Sequence, residues 1–358
     1  MFLPLLFTLM VNHSTASFFI GTYTSPNGSQ GIYHSTIDLQ TGEIQTPSLS
    51  AQANNPSFLA SDQYGRYLYA VNEIGQGMVD AFEINPDATL KFLNHQSSKG
   101  AAPCHLSLGP VDQSVFVANY SDGTFARLPV NGDGSLSPAD WTLTNSGKGP
   151  NTGRQEGPHA HASYFEPALQ TIVMCDLGTD EVLVAPSDPT KGKLARFHVK
   201  PGTGPRHAAV SEDGKFAYVN GELLNTVSVF QISSQADWKQ IQQVETLPDN
   251  HGNTPSFTAE IVLHPSGKWL YVSNRGHDSI AVFRVLPTGL LEIVEYKPLL
   301  VKTPRGFAID PSGKWMVVGG QDSHSIQALE IDSITGKLIS HKPAVPLNSP
   351  VCILFQKS

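Results

Sequence analysis

Histidine, arginine and glutamate recur in this 358-residue sequence at two positions where the surrounding pattern requires none of them. Six residues ahead of a Pro, or of its equivalent in the turn after a short apolar strand, stand Cys104, His161, Arg206, Ala259 and Arg305. Five residues ahead of the leading apolar residue of another strand stand Tyr120, Leu177, Glu222, Arg275 and Gln321, with Tyr23 and Glu73 in the matching places nearer the N-terminus. Charged side chains where a repeated framework needs none point to function. Their types suit proton transfer and anion binding. An imidazole accepts a proton near neutral pH, and a guanidinium offers a planar fork to a carboxylate or phosphate. A glutamate orients a histidine or exchanges a proton itself. Each also has a structural reading, with Glu222 in an ion pair to Arg206 or Arg275 and His161 as a hydrogen-bonded histidine of the interior.

His159 and His161 are spaced x-His-x-His, which on a strand puts both rings on one face and is compatible with zinc or another transition metal. A third ligand is wanting. The sequence has no His-Glu-x-x-His and no acidic calcium loop, and Cys104, Cys175 and Cys352 are far apart, so no metal or other cofactor is expected. His207 and His277 adjoin the two arginines and are placed to hydrogen-bond within their loops. A Gly-x-Ser-x-Gly elbow, a Walker loop and a dinucleotide glycine pattern are missing, which argues against serine hydrolase, NTPase and Rossmann readings.

The elements that must position these residues repeat. The dipeptides Asn55-Pro56, Ala102-Pro103, Gly157-Pro158, Gly204-Pro205, Thr254-Pro255, Thr303-Pro304 and Ser349-Pro350 recur at intervals of 46 to 55 residues, each before a short apolar strand. A turn follows several of these strands, as in Ser211 to Gly214, His264 to Gly267 and Asp310 to Gly313. Second strands then run, among others, from Tyr67 to Asn72, Ser114 to Asn119, Phe216 to Gly221 and Trp269 to Asn274, rich in aromatic and β-branched residues. A third strand and an outer segment, often carrying Gly-x-Leu, complete four strands per repeat. That period predicts a seven-bladed β-propeller. The N-terminus supplies a second strand, Ser17 to Thr22, without a first. The C-terminus supplies a first strand, Val351 to Phe355, with nothing after it, so the two ends are expected to share one blade and close the ring. The first strands line a central channel, and the two charged positions above converge on one of its mouths.

Bulk properties agree with a packed globular protein, at 40% hydrophobic and 15% charged residues. A net charge of −8 without a basic cluster leaves no footprint for nucleic acid or an anionic membrane surface, so an anionic substrate must be held by local arginines. The three cysteines are expected as buried thiols. Phe2 to Val11 is an apolar run too short to span a bilayer, so no integral membrane segment is expected. It has the length of a secretory core, with Ser14 and Ala16 placed as a cleavage site needs, although a basic leader start is missing. The reading is a leader or N-terminal extension at residues 1–16, a single propeller domain at 17–358, and a periplasmic or secreted location, with a cytoplasmic protein as the alternative.

Several strings carry a more specific likeness. Gly21 to Thr24 (Gly-Thr-Tyr-Thr), Gly157 to His161 (Gly-Pro-His-Ala-His), Gly204 to His207 (Gly-Pro-Arg-His), Asn220 to Glu222 (Asn-Gly-Glu) and Ser273 to His277 (Ser-Asn-Arg-Gly-His) resemble the propeller lactonase family of 6-phosphogluconolactonases and carboxymuconate cyclases. The likeness runs from about Phe18 to the C-terminus. It implies a metal-independent hydrolysis of a small acidic lactone, 6-phospho-D-glucono-1,5-lactone as the inherited substrate, with another acidic sugar or aromatic-derived lactone as the variant. It also implies His161, Arg206, Glu222 and Arg275 as the catalytic set. Arg305, His159, His207 and Glu73 are the accompanying substrate-binding candidates. A muconate-type cyclase running the reverse chemistry and a non-catalytic propeller that presents a binding face are the competing readings.

Overall fold

The strands predicted by the repeat form seven antiparallel sheets in a ring. The computed structural model describes residues 15–109, 113–340 and 343–356, and among these all regular structure longer than a turn is β-strand. Six sheets have four strands each; the sheet of Pro304–Ile309, Trp315–Gly320, Ser325–Ile331 and Leu338–Ser340 gains a short fifth piece, Val345–Pro346. Numbering the sheets as blades from the N-terminus, blade 1 contains Thr15–Thr22, Gly31–Asp38 and Ser48–Gln52. Its innermost strand is the C-terminal Pro350–Phe355, with Phe18 opposite Phe355 and Ile20 opposite Ile353. The expected closure is therefore present.

The first strand of the chain begins at Thr15, two residues before the boundary expected at Ser17, with Thr15 opposite Asp38 and Ala16 opposite Ile37. Ala16 packs against the apolar cluster between blades 7 and 1. The rest of the leader-like segment, residues 1–14, lies outside the described residues.

Blades hold together through seven apolar clusters, one between each adjacent pair. The second strands supply most of this core because both of their faces are covered, which explains their continuous apolar runs. Tyr69, Tyr218, Tyr271 and Trp315 are almost wholly buried, and each such ring contributes about 1.5–3 kcal/mol on burial. The Gly-x-Leu segments are where one blade grips the next. Tyr218 donates to the Gly289 carbonyl and Tyr271 to the Gly336 carbonyl, while the Phe216 and Trp269 rings lie where a side chain on those glycines would go.

The recurring Xaa-Pro dipeptide has a backbone task. Asn55, Ala102, Thr303 and Ser349 take positive φ of 43°, 52°, 54° and 44°, with Gly204 at 65°. This is a costly conformation for residues other than glycine. Their carbonyls accept from the amides of Glu73, Tyr120, Gln321, Tyr23 and Glu222 respectively. Each bond ties the start of an inner strand to the loop after the second strand, so the two charged positions of a blade are held side by side. The inner strands then bulge, between Pro103 and His105, Ala160 and Ala162, Pro205 and Ala208, and Pro304 and Gly306. A bulge re-aims a side chain.

Candidate active site

Cys104, His161, Arg206 and Arg305 are the bulge residues of four different blades, and all four line one cavity of about 220 Å³ at one mouth of the channel. Tyr23, Glu73, Tyr120 and Glu222, each just past the end of a second strand, and Arg275, the last residue of one, complete its wall together with Arg154.

Glu222 is the electrostatic centre. Its Oε2 lies 2.7 Å from Arg206 Nη1 and 3.0 Å from Arg275 Nη2, and its Oε1 lies 2.7 Å from Arg154 Nη2. Burial alone would raise this carboxyl, but the guanidiniums of Arg275, Arg206 and Arg154 hold it well below the usual carboxylate range. Arg206 is fixed at both ends of its fork, donating from Nε to the Ala259 carbonyl at 2.8 Å and from Nη1 to Glu222 and to His161 Nε2. His161 is 3% exposed, and burial and then Arg206 push its pKa well below the ordinary value. It is neutral at pH 7. With Nε2 accepting from Arg206, the ring proton sits on Nδ1, which faces Cys104 Sγ at 3.7 Å.

Arg275 donates to the Thr258 carbonyl at 3.1 Å, and burial, partly offset by Glu222, draws its guanidinium down to about 10. Arg154 also donates to the Tyr120 hydroxyl at 3.1 Å. On the other side of the cavity Tyr23 donates to Glu73 Oε2 at 2.8 Å, and the Arg305 guanidinium lies 5.3 Å over the Tyr23 ring with Glu73 Oε1 at 3.9 Å. Burial pushes the Tyr23 phenol and the Cys104 thiol upward, so both are neutral.

The structure thus brings together His161, Arg206, Glu222, Arg275, Arg305 and Glu73. His159 and His207 stand outside the cavity wall. His159 stacks on Tyr120 at 4.6 Å between ring centres, its Nδ1 at the Tyr120 carbonyl (2.9 Å) and its Nε2 facing Glu156 at 3.2 Å. His159 precedes the inner strand, which begins at Ala160, and the bulge between Ala160 and Ala162 takes His161 out of regular alternation, so the two rings diverge instead of sharing the one face that x-His-x-His on a regular strand would give them. His207 follows the Arg206 bulge residue and points further down the channel, where its Nδ1 meets Glu260 at 2.8 Å. There it packs against His161 and His105 at 5.4 and 5.2 Å between ring centres, with Tyr164 and Phe58 against His105. These rings separate the cavity from a second one, of about 650 Å³, at the other end of the inner strands. His277 bonds to Ser279 within its own loop, at 2.7 Å.

Arg154 is the site residue the repeat pattern passed over. It lies between the outer strand of blade 3 and the inner strand of blade 4, in the segment that makes the Pro103–Pro158 interval the longest of the six. That excess length was its signal. All three thiols are buried and unpaired, and among the described residues no group of three or more His, Cys, Asp or Glu side chains is placed to share a metal ion.

A carboxylate clasped by arginines, a neutral histidine and a cationic wall can activate water and stabilise an oxyanion. Comparison with known proteins agrees. The family description "Lactonase, 7-bladed beta-propeller" matches residues 17–355. A 6-phosphogluconolactonase of Bacillus subtilis (strain 168) is 36% identical over 94% of this chain and 97% of its own. One from Formosa agariphila is 32% identical over 89% and 94%. The solved structure of the Pseudomonas aeruginosa periplasmic gluconolactonase superposes with a TM-score of 0.89 at 30% identity, covering 96% of this chain and 99% of its own.

Proposed function

The chain belongs to the seven-bladed β-propeller lactonase family and is a lactone-hydrolysing carboxylic ester hydrolase; from that premise we propose 6-phospho-D-glucono-1,5-lactone as its substrate, opened to 6-phosphogluconate. The observation that carries the phosphorylated substrate is the charge of the cavity wall. Four arginines, Arg154, Arg206, Arg275 and Arg305, face two glutamates, Glu73 and Glu222, around neutral His161, Cys104 and Tyr23. The formal charge is +2, which complements a phosphomonoester of about −1.5 to −2 at pH 7.

In this reading Arg154 and Arg275, the two more exposed of the three arginines paired with Glu222, turn from it to the phosphate. Arg206 Nη1 turns to the oxygen that becomes negative as water adds to the lactone carbonyl. That movement releases His161 Nε2, which takes the proton of the attacking water. The ring C–O bond then breaks and the proton passes from His161 to the departing ring oxygen, leaving a free hydroxyl and a carboxylic acid, which releases its remaining proton to solvent as it becomes the carboxylate.

A second reading is an unphosphorylated gluconolactone met outside the cytoplasm. It is supported by the leader-like residues 1–16, with export and processing before Ser17, and by the likeness to the periplasmic gluconolactonase. Purified protein assayed against 6-phosphoglucono-1,5-lactone and glucono-1,5-lactone separates the two. The first reading expects kcat/KM at least about 10-fold higher for the phosphorylated lactone, the worth of one charge-assisted hydrogen bond. Equal turnover of both, with a native N-terminus at Ser17 by mass spectrometry, overturns it in favour of the second.

A further inference from the structure

The seven blade junctions share one backbone hydrogen bond, and it brings seven equivalent residues into register. The amides of Ala53, Ser98, Asn145, Val199, Thr246, Leu299 and Leu347 each donate to the carbonyl just ahead of a third strand, namely those of Gln30, Gly77, Gly123, Asp180, Asn225, Asp278 and His324. Each lies at the border with the next blade, where the second strand of that blade ends. At three junctions that end is Asn or Asp, and the junction residue is polar and bonds to it. Ser98 Oγ donates to Asn119 Oδ1 at 2.6 Å, Thr246 Oγ1 to Asn274 Oδ1 at 2.7 Å, and Asn145 Nδ2 to Asp176 Oδ2 at 2.8 Å. Where the second strand ends in Gly221 or Gly320, the junction residue of the blade before it is Val199 or Leu299, and where it ends in Thr22 the junction residue is Leu347 and the Thr22 hydroxyl donates to the Gly31 carbonyl instead.

The junction between blades 1 and 2 breaks this rule. Ala53 lines the same groove as Asn72, the end of the second strand of blade 2, and its methyl group has no hydrogen-bonding atom to offer. Asn72 is 5% exposed, and its Oδ1 has no hydrogen-bond partner. Leaving such an acceptor buried and unmet is unfavourable, and a bound donor would recover that loss. Asn72 Nδ2 donates to Asp80 Oδ2 at 3.0 Å. Asp80 itself is anomalous. The registers place it with Ala126, Leu183, Ser228, Ala281 and Gln327 of the other blades, so a carboxylate, 8% exposed, occupies a position that elsewhere carries no charge.

The space that Ala53 leaves is a groove of about 790 Å³ between the two blades, within the usual size of ligand sites. Its inner part offers acceptors, Asn72 Oδ1 and the Asp80 carboxylate. No lysine or arginine lines it, and Gln30 and Gln52 bring amides from blade 1. On its lip Phe92 is 52% exposed beside His95, the cross-strand partner of Asp80. A carboxylate and an amide that accept hydroxyl donors, together with an exposed aromatic face for C–H surface, form the recognition chemistry of a sugar ring. Thr24 and Asn72 of the groove adjoin Tyr23 and Glu73 of the catalytic cavity.

We propose that the groove between blades 1 and 2, floored by Asn72 and Asp80 and left open by Ala53, is a second binding site that takes a neutral pyranose ring. The site stands apart from the catalytic residues. Saturation-transfer NMR on the full chain tests it, with the methyl glycosides of glucose, galactose, mannose, xylose and N-acetylglucosamine as probes, methylammonium as the cationic control, and 6-phosphogluconate present to fill the catalytic cavity. Two variants decide the outcome. Ala53→Thr restores the hydroxyl that Thr246 supplies at its own junction, and Asp80→Ala installs the residue of blades 3 and 6. At least one glycoside is expected to give a signal that falls at least fivefold in both variants, while lactonase kcat/KM stays within twofold of wild type. If Ala53→Thr does not fold, Asp80→Ala alone carries the result, and its melting temperature is expected to equal or exceed that of the wild type because it removes a buried charge. A glycoside signal unchanged in Asp80→Ala, the lack of any glycoside signal, or a variant-sensitive signal from methylammonium alone would overturn the proposal.

Discussion

Arg206 Nη1 lies 2.7 Å from Glu222 Oε2, with both side chains at most 3% exposed, and the same nitrogen also donates to His161. One guanidinium therefore sets both the carboxylate and the imidazole. Arg206→Lys keeps the charge and loses the fork that reaches Ala259, Glu222 and His161 together. Steady-state kinetics should show kcat/KM for a phosphorylated lactone reduced about 10- to 100-fold, the worth of one charged hydrogen bond. A lysine variant with unaltered kcat/KM would remove Arg206 from the reaction.

His161→Ala should lower kcat by roughly 10²–10⁴, the usual contribution of a positioned base. The pH profile adds an independent check. A base works when deprotonated, and burial and Arg206 depress the His161 pKa well below 6.5. The acid limb of kcat/KM is therefore expected below pH 6.5, and a limb centred above pH 6.5 contradicts the neutral resting histidine.

Stability carries a pH signature of its own. His105, His161 and His207 are buried, and burial depresses all three. Between each folded pKa and the unfolded value near 6.5, the unfolded chain binds more protons than the folded one, so stability falls as pH falls. Glu222, held low by its arginines, adds a second loss below the unfolded carboxyl value of about 4.5. Melting followed by circular dichroism should decline from about pH 6.5 downward and steepen below 4.5. A melting temperature constant from pH 7.5 to 5 would mean that the three histidines are not buried as neutral rings.

Removing residues 351–358 deletes most of the strand opposite Thr15–Thr22 and strips Ile353 and Phe355 from the cluster between blades 7 and 1. The loss of several large buried side chains, at about 1.5–3 kcal/mol each, together with an exposed edge, should abolish cooperative thermal unfolding. A truncated chain that melts as sharply and as hot as the full one would place the closure elsewhere.

The ring and most of its mouth were legible because a repeat makes position informative. Arg206, Glu222, Arg275, His161, Arg305 and Glu73 were visible as charges at places that other repeats leave apolar or neutral, and they share one cavity. Cys104, Tyr23 and Tyr120 occupied the same places but were neutral, so composition did not single them out. Arg154 belongs to no repeat position, and only the long interval before Pro158 betrayed it. His159 and His207 lie one or two residues from true wall residues, and which way a side chain points at a bulge is decided by strand register, which the sequence does not display. The mismatch of Ala53 and Asn72 needed the junction hydrogen bonds before the two could be paired at all.

Closure of blade 1 by Pro350–Phe355 also fixes an order of events during synthesis. At about 5–20 residues per second the ribosome needs roughly 20 to 70 s to pass from Thr15 to Phe355. Throughout that time Thr15–Thr22 waits for its inner partner. The other six blades can assemble in turn, each from neighbouring sequence, but this contact must close a loop that spans all of them. The nascent protein must therefore carry an open, apolar strand edge while the intervening blades are made, and its window for chaperone binding or misassembly is set by that sequence separation rather than by the folding rate of any one blade.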